Sequence, residues 1–470
     1  MRPNHRALFG GAIRPSALPA ILAAAWCAGR LLFASCAGAA EVSDADFLAG
    51  MSRDVVQACR IPPGRAVGGS PTNTTGFTLI MPGGNGGYPA FWVRDFAMSL
   101  DSGFVTPEEM LDHLTLIARS QNGPTPRLLA RGLVVPAYAI PDHIAFSGGA
   151  TFYPGTYATG DDQGEGTYGL LPPADDHYWF VHVAAALHRA RRGTSFLSNR
   201  VDGMAVIDHL AEAFRSPTTD PDTGLFVTSD ANRAVGFGFC DGIVHTGGVL
   251  FPSLLRHQAA GELAVLYAAM GRESEAERFR EIQRRLAGSI EKMFGGVPSA
   301  GGWLVAATGS SRQADVWGTL YALHLGVLSP ARAHAALDAV VAGVTNHTIS
   351  IHGAVRHVPV GRDFSARSAW ERTGEALNTY QNGAYWHTAT GWLIEALWRA
   401  DRSLARQVAR EYVQYLRAND YRLGRGPQAP WECFHPPTGH TQNGVYMTSV
   451  TVPFAILKNL PEVWDLPPGL

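Results

Sequence analysis

Two carboxylates stand in loop sequences whose neighbours suggest a buried setting. Asp241 follows Phe239 in "GFCDGIVHTGG", and Glu432 follows Trp431 in "APWECFHPPTGH". Burial beside apolar groups raises the pKa of a carboxyl, so that it holds a proton near neutral pH. Hydrolysis of a glycosidic bond needs one protonated carboxyl that donates to the leaving oxygen and one ionised carboxyl that activates water or attacks directly. The two loops therefore predict a catalytic pair, and their neighbours leave open which residue is the acid.

Other charged side chains lie at the starts of apolar helical segments. Charged residues are almost never buried without a partner, so Arg94 and Asp95 in "FWVRDF" are expected to face one. They form an internal ion pair, or they hydrogen bond to sugar hydroxyls. Asp175 and Asp176 in "PADDHYWF" either cap a helix or bind a ligand. A turn role for Asp241 also stays open. The predicted substrate-binding residues are Arg94, Asp95, Asp175, Asp176, Trp179, Gln381, Asn382, Trp386 and Trp431.

The helical patterns that would position these residues come in pairs. In each pair the first segment is apolar on nearly all sides and the second is amphipathic, so the first must be buried and the second partly exposed. Six such pairs predict an all-α fold, the (α/α)6 barrel, in which six inner helices are ringed by six outer ones. The segments are 89–103 with 106–121, 175–192 with 199–216, 251–271 with 273–294, 312–327 with 329–344, 384–401 with 403–419, and 446–460 with 43–59.

Helix-start signals support two of the outer segments. Thr106, Pro107 and Glu109 have the spacing of a capping box with proline at the first helical position. Ser329 and Pro330 repeat the cap and the proline. The polar loops that enter the inner helices would then meet at one end of the ring, where their side chains converge.

The composition excludes some function classes and favours one. A net charge of −2 gives no electrostatic basis for binding nucleic acid or a membrane surface. The 46% hydrophobic content across 470 residues predicts a large core. The 11 tryptophans fit either that core or a carbohydrate site, because flat aromatic faces stack on sugar C–H surfaces. We predict a carbohydrate substrate, no spanning helix, and neither metal nor cofactor, because no cysteine or histidine pattern has ligand spacing.

The first forty residues read as an export signal, which leaves 41–470 as a single catalytic domain. Basic residues precede the apolar run "ALPAILAAAWCAG", and small residues follow it. Cys36 in "FASC" is an alternative lipid-anchor site. The predicted location is therefore periplasmic or secreted. The mature chain would keep Cys59, Cys240 and Cys433, enough for one disulfide at most. Cys240 and Cys433 are the candidate pair, because each adjoins one of the two carboxylates.

Four motifs resemble those of the six-hairpin glycosidases, the clan that holds trehalases, processing α-glucosidases and the alkaline/neutral invertases. "VRDFAMSL" is similar to the invertase motif VRDFVPSAL, and "PADDHYWFV" to PVDSGLWWI. "YQNGAYWHTATGWLI" is similar to YHNGGSWPVLLWLL, and "WECFHPPTGHTQNG" resembles a late motif that begins WPEYYDG. The four occur in the same order and span about 90–455.

This resemblance implies an inverting hydrolase that acts on a small α-linked glycoside or oligosaccharide. The position of Asp241 before the third hairpin matches the clan's general acid, and that of Glu432 before the last inner helix matches its general base. The positions that match the clan's sugar-binding subsite are Arg94, Asp95, Asp175, Gln381, Asn382 and Trp386.

Two other function classes stay open on the sequence. A polysaccharide lyase on a related helical barrel would abstract a proton with a tyrosine or histidine beside a neutralising arginine or asparagine. His245, His387 and His435 are its candidates. A non-catalytic carbohydrate-binding protein would keep the barrel and bind sugar without turnover.

Overall fold

The computed structural model describes residues 42–465 except 68, 165–167, 235–238, 297–299 and 425–427. The predicted export signal and Cys36 lie outside the described residues. From Ser43 onward the chain forms one compact unit.

Twelve α-helices form within the described residues, one in each predicted segment. None of them combines the length and apolar character that crossing a membrane requires. They are α1 Asp44–Ala58, α2 Val93–Ser99, α3 Pro107–Ser120, α4 Asp175–Arg191, α5 Val206–Arg215, α6 Leu250–Ala269, α7 Glu273–Phe294, α8 Val316–His324, α9 Pro330–Thr345, α10 Thr390–Ala400, α11 Arg402–Ala418 and α12 Thr448–Leu457.

The even-numbered helices form a closed inner ring. Each contacts the next, and α12 contacts α2 to complete the circle. The sixth hairpin joins the two ends of the barrel sequence, since α1 packs on α12 and the Ser52 hydroxyl donates to the Val450 carbonyl at 3.2 Å. The (α/α)6 prediction, including the distant partner of the last helix, is confirmed.

The burial of the helices follows their sequence patterns. All residues of α2 are buried, as are the first thirteen of α4, 175–187. By contrast, α7 buries one face and exposes its arginines and glutamates. At α3 both arms of the predicted capping box are present, from Thr106 to Glu109 and back. Ser329 is the N-cap residue of α9, but its hydroxyl donates to Glu291 at 2.7 Å instead of capping the helix.

Short antiparallel strands lie in the loops, which the all-α prediction did not include. Their bounds are β1 Arg60–Ile61, β2 Leu79–Ile80, β3 Phe91–Trp92, β4 Arg127–Leu128, β5 Val134–Val135, β6 His143–Ile144, β7 Ala150–Thr151, β8 Arg200–Val201, β9 Met204–Ala205, β10 Val227–Thr228, β11 Gly247–Gly248, β12 Ser350–Ile351, β13 Ala354–Arg356, β14 Tyr385–Trp386, β15 Trp431–His435 and β16 His440–Gly444.

One of the sheets positions a predicted catalytic residue. Strands β12 to β16 form it in sequence order, with Tyr385 opposite Phe434 and Cys433 opposite Gln442. Glu432 therefore lies on a strand paired on both sides rather than in an irregular loop. Pairing on both sides fixes the backbone of Glu432 and with it the direction of the carboxyl.

Candidate active site

A cavity of about 430 Å³ opens at the end of the barrel where the inner helices begin. Asp241, from the loop before α6, and Glu432, from β15, both line it. The two predicted catalytic residues, which are far apart in the sequence, thus line the same cavity. The other lining residues are Tyr88, Trp92, Arg94, Asp95, Pro154, Gly155, Tyr168, Phe239, Glu375, Thr379, Tyr380, His440, Gln442 and Tyr446.

Arg94 binds two carboxylates at the floor of this cavity. Its Nε lies 2.6 Å from Asp175 Oδ2 and its Nη2 lies 3.3 Å from Asp175 Oδ1. The same Nη2 lies 3.3 Å from Asp241 Oδ1. The guanidinium also stands over the Phe239 ring at 5.3 Å. The predicted internal ion pair is therefore present at Arg94, which also lines the cavity, and hydrogen bonding to a sugar stays a prediction.

The second oxygen of Asp241 is held by two neutral groups. Gln381 Nε2 lies 3.3 Å from Oδ2, and the Tyr380 hydroxyl lies 3.4 Å from the same atom. Gln381 Oε1 in turn accepts from the Gly242 amide at 2.6 Å. Gln381 therefore fixes both the side chain of Asp241 and the backbone after it, from behind the cavity wall.

Glu432 has a different environment, with no cation bound to it among the described residues. The Tyr88 hydroxyl lies 3.1 Å from both carboxyl oxygens, and Asn443 Nδ2 donates to Oε2 at 2.6 Å. Glu432 is only 1% exposed. Burial raises its pKa to about 8, against the opposing effect of the Asn443 and Tyr88 hydrogen bonds. Burial therefore favours the protonated form of Glu432 at neutral pH.

Asp95 and Asp176 are both buried acids, but only Asp95 lines the cavity. The Tyr446 hydroxyl donates to Asp95 Oδ1 at 2.7 Å, and burial raises the pKa of Asp95 to about 6. Asp176 is fully buried, and its two oxygens have no hydrogen-bond partner among the described residues. Burial and the neighbouring Asp175 raise the pKa of Asp176. Neither Asp175 nor Asp176 caps α4, whose N-cap residue is Ala174.

Three further predicted residues support the cavity wall without lining it. Asn382 braces a loop, because its Oδ1 accepts from the Ala369 amide at 2.8 Å and its Nδ2 donates to the Glu375 carbonyl at 2.9 Å. Trp386 is fully buried and stacks on Phe239 with 5.3 Å between centroids. Trp431 begins β15 and is held through its carbonyl, which accepts from a serine in α12.

Trp179, the remaining predicted sugar-binding residue, does not line this cavity. It follows Asp175 by four residues on α4, which is one helical turn, and a turn of about 5.4 Å carries it deeper into the ring. There it lines a separate cavity.

Several lining residues carried no signal in the sequence. Tyr88 and Tyr380 have left-handed backbone conformations, with φ of 56° and 41°, and lie in irregular loops. Glu375 and Gln442 are also outside any helical pattern. Tyr380 and Gln442 were within reach of the sequence, because Tyr380 directly precedes Gln381 in "YQNG" and Gln442 lies in "WECFHPPTGHTQNG".

The three cysteines within the described part of the chain do not pair. Cys59, Cys240 and Cys433 are all buried free thiols. The candidate disulfide between Cys240 and Cys433 is therefore absent, although each thiol does lie next to one carboxylate of the site. Cys433 Sγ instead lies 3.9 Å from Nε2 of His440.

Comparison with known proteins shows the fold and no closer relationship. No profile of a known sequence family matches the chain, and no curated protein sequence matches it. Among solved structures it resembles a GH63 mannosylglycerate hydrolase from Thermus thermophilus, crystallised with glucose, with a TM-score of 0.55 and 14% identity over 87% of this chain and 99% of the other. An uncharacterised conserved protein from the same organism gives 0.54 and 14% over the same shares.

A larger enzyme has the same fold over part of its length. The α-L-rhamnosidase from Dictyoglumus thermophilum gives a TM-score of 0.50 and 10% identity, over 88% of this chain and 37% of the other. The chain thus shares the (α/α)6 barrel fold of these structures, as its helical pattern predicted.

Proposed function

We propose that this protein is a glycoside hydrolase, with Asp241 and Glu432 as its catalytic carboxyls. The observation that carries the proposal is their convergence on one cavity at the end of the barrel where the inner helices begin. The barrel of the glycosidase structures that it resembles supports the reaction class. We further propose that the reaction inverts the anomeric centre and that residues 1–40 direct export, which sequencing the mature N-terminus would test.

The roles follow from the resemblance, with Asp241 as general acid and Glu432 as general base. A base must be ionised, so a pKa of about 8 for Glu432 means that the free enzyme gains activity as the pH rises towards 8. The geometry is also compatible with the reversed roles, since burial favours the protonated form of Glu432 and Arg94 Nη2 lies 3.3 Å from Asp241 Oδ1. If Glu432 is instead the general acid, the free enzyme would lose activity above pH 8, where Glu432 loses its proton.

The charges of the cavity favour a neutral sugar. Its lining includes the carboxyl groups of Asp95, Asp241, Glu375 and Glu432. The one lysine or arginine among the described lining residues is Arg94, which is already bound to Asp175 and Asp241. A carboxylate on the substrate would therefore be left without a cation to neutralise it. We propose neutral α-linked glycosides as substrates.

Substitution of each carboxyl tests the pair. Asp241→Asn and Glu432→Gln should each lower kcat on a cleaved α-glycoside by about 10²–10⁴-fold, the usual contribution of a general acid or base. Unchanged circular dichroism and melting temperature would show that the fold is kept. A variant that retains near-wild-type turnover would remove its residue from the pair. Proton NMR of the first-formed anomer tests inversion.

An activated leaving group separates acid from base. Dinitrophenolate is a leaving group that needs no protonation. A dinitrophenyl glycoside should therefore restore much of the rate of the acid variant and little of the rate of the base variant. We expect recovery in Asp241→Asn and none in Glu432→Gln. The opposite pattern would establish the reversed roles.

The histidines named for the lyase alternative do not lie at the cavity. These three residues, His245, His387 and His435, are not among the described residues that line it. A lyase leaves an unsaturated product that absorbs in the ultraviolet, so absorbance during turnover distinguishes the two reactions.

A further inference from the structure

A second cavity, of about 630 Å³, opens among the later turns of the inner helices, away from the catalytic carboxyls. All six inner helices contribute to its wall, through residues that include Met98, Trp179, Gln258, Tyr321, Trp392 and Ala455. We propose that this cavity, hereafter the axial cavity, is a second carbohydrate-binding site, one that takes a neutral sugar ring.

An unpartnered donor in its wall points to a ligand. Trp179 is only 4% exposed, and its indole Nε1 has no hydrogen-bond partner among the described residues. Buried tryptophan N–H groups usually find an acceptor, because leaving one unpaired costs free energy. A hydroxyl oxygen of a bound sugar would supply that acceptor.

The other walls offer flat aromatic faces of the kind that sugars stack on. Trp392 lies 4.8 Å from Tyr321 between ring centroids, and Tyr321 stacks on Phe251 at 5.1 Å. Beside them, the Tyr321 hydroxyl donates to Gln258 Oε1. Gln258 Nε2 lies 3.1 Å from Glu262. Aromatic faces next to amide and hydroxyl groups match the alternating apolar and polar surfaces of a sugar.

The ionisable side chains at the axial cavity are bound to other groups of the protein. His182 lies between Glu262 at 2.6 Å and Asp101 at 3.3 Å. Burial lowers the pKa of His182, but these two carboxylates outweigh it and raise the pKa to about 10. Arg189 pairs with Asp101 at 2.8 Å, and His324 pairs with a glutamate of α10 at 2.6 Å. Lys458, which also lines the cavity, donates to the main-chain carbonyls of Asp101 and Ser102. With these groups bound within the protein, the cavity favours an uncharged ligand.

The two cavities are separate, so this proposal does not depend on the hydrolase activity. Trp317 is buried between them, with its ring centroid 6.2 Å from Phe239 of the catalytic cavity and 5.9 Å from Trp392 of the axial cavity. A sugar in the axial cavity would be held whether or not the carboxyl pair turns over substrate.

Calorimetric titration with glucose and with maltose tests the axial cavity. It is done on the full chain carrying Asp241→Asn, which prevents turnover. Ala455→Phe fills the cavity from α12, and Trp179→Phe removes the indole donor but keeps an aromatic ring. We expect Ala455→Phe to eliminate one class of binding sites and Trp179→Phe to weaken that class at least about fivefold.

A matched control separates cavity binding from general damage. Trp303 is as buried as Trp179, at 4% exposure, and lines neither cavity. Trp303→Phe should therefore leave both binding classes unchanged. If neither sugar binds the Asp241→Asn protein, or if Trp179→Phe binds them as tightly as Trp303→Phe does, the proposal is overturned. The second comparison stands even if Ala455→Phe fails to fold.

Discussion

Removal of the Tyr88 hydroxyl should shift one limb of the pH–activity profile to higher pH. This hydroxyl lies 3.1 Å from both oxygens of Glu432 and lowers the pKa of that residue. A hydrogen bond to a charged group is worth about 1.5–3 kcal/mol, and about 1.36 kcal/mol corresponds to one pKa unit. Tyr88→Phe keeps the ring and the left-handed backbone, so the pKa of Glu432 should rise by about 1–2 units from its value of about 8.

The measurement is kcat/KM against pH, which reports the ionisations of the free enzyme. If Glu432 is the base, the acidic limb moves to higher pH, and if it is the acid, the alkaline limb does. One variant therefore tests the pKa of Glu432 and assigns its role. A profile in which neither limb moves, or one moves downward, would refute the reasoning.

Tyr380→Phe is the matched control. It also removes one tyrosine hydroxyl from the cavity, but that hydroxyl lies 3.4 Å from Asp241 Oδ2. The Tyr380 hydroxyl also hydrogen bonds to Tyr88, so the limb that Tyr88→Phe displaces should move less in this variant than in Tyr88→Phe. An equal displacement of that limb by both variants would indicate a general change of the cavity.

Three further predictions concern charge. Arg94→Gln leaves Asp175 buried without its ion-pair partner, so the free energy of unfolding in urea should fall by about 3–5 kcal/mol; a loss under about 1 kcal/mol would contradict the pairing. Glucosylglycerol should be hydrolysed at least about tenfold more efficiently than glucosylglycerate, since the repulsion needed for that ratio is only about 1.4 kcal/mol; equal kcat/KM values would contradict the neutral-substrate proposal. The pKa of His182 is raised by Glu262 and Asp101, so its contribution to stability is complete below pH 6.5 and is lost as the pH rises to about 10. The difference in unfolding free energy between wild type and His182→Gln should shrink across that window, and a constant difference would contradict the charge pairing.

The twelve helices were predictable because burial imposes a pattern on sequence that survives without any tertiary information. Inner helices such as α4 are apolar on nearly all sides, and outer ones such as α7 have one apolar face. The loops bearing Asp241 and Glu432 could be identified because carboxylates set among apolar residues are unusual.

The remaining features depend on three-dimensional neighbours that no local pattern records. The sheet that holds Glu432 joins strands as far apart as β12 and β16, each too short to show a clear alternation. Tyr88 hydrogen bonds to Glu432 although the two are 344 positions apart in the sequence. Trp179 was expected at the catalytic cavity because tryptophan rings stack on sugars. Its position along α4, which no local pattern reveals, places it at the axial cavity instead.

The hairpin formed by α1 and α12 makes completion of the site a late event in folding. The contacts that close the ring span 398 residues from Ser52 to Val450, and Tyr446 reaches Asp95 across 351. Contacts of such sequence separation form slowly, because the intervening chain must lose its freedom first. On a ribosome, α1 would emerge long before its partner. A chain stopped just before Tyr446 would carry Asp241 and Glu432 but neither the hydroxyl that holds Asp95 nor α12, the helix that closes the ring.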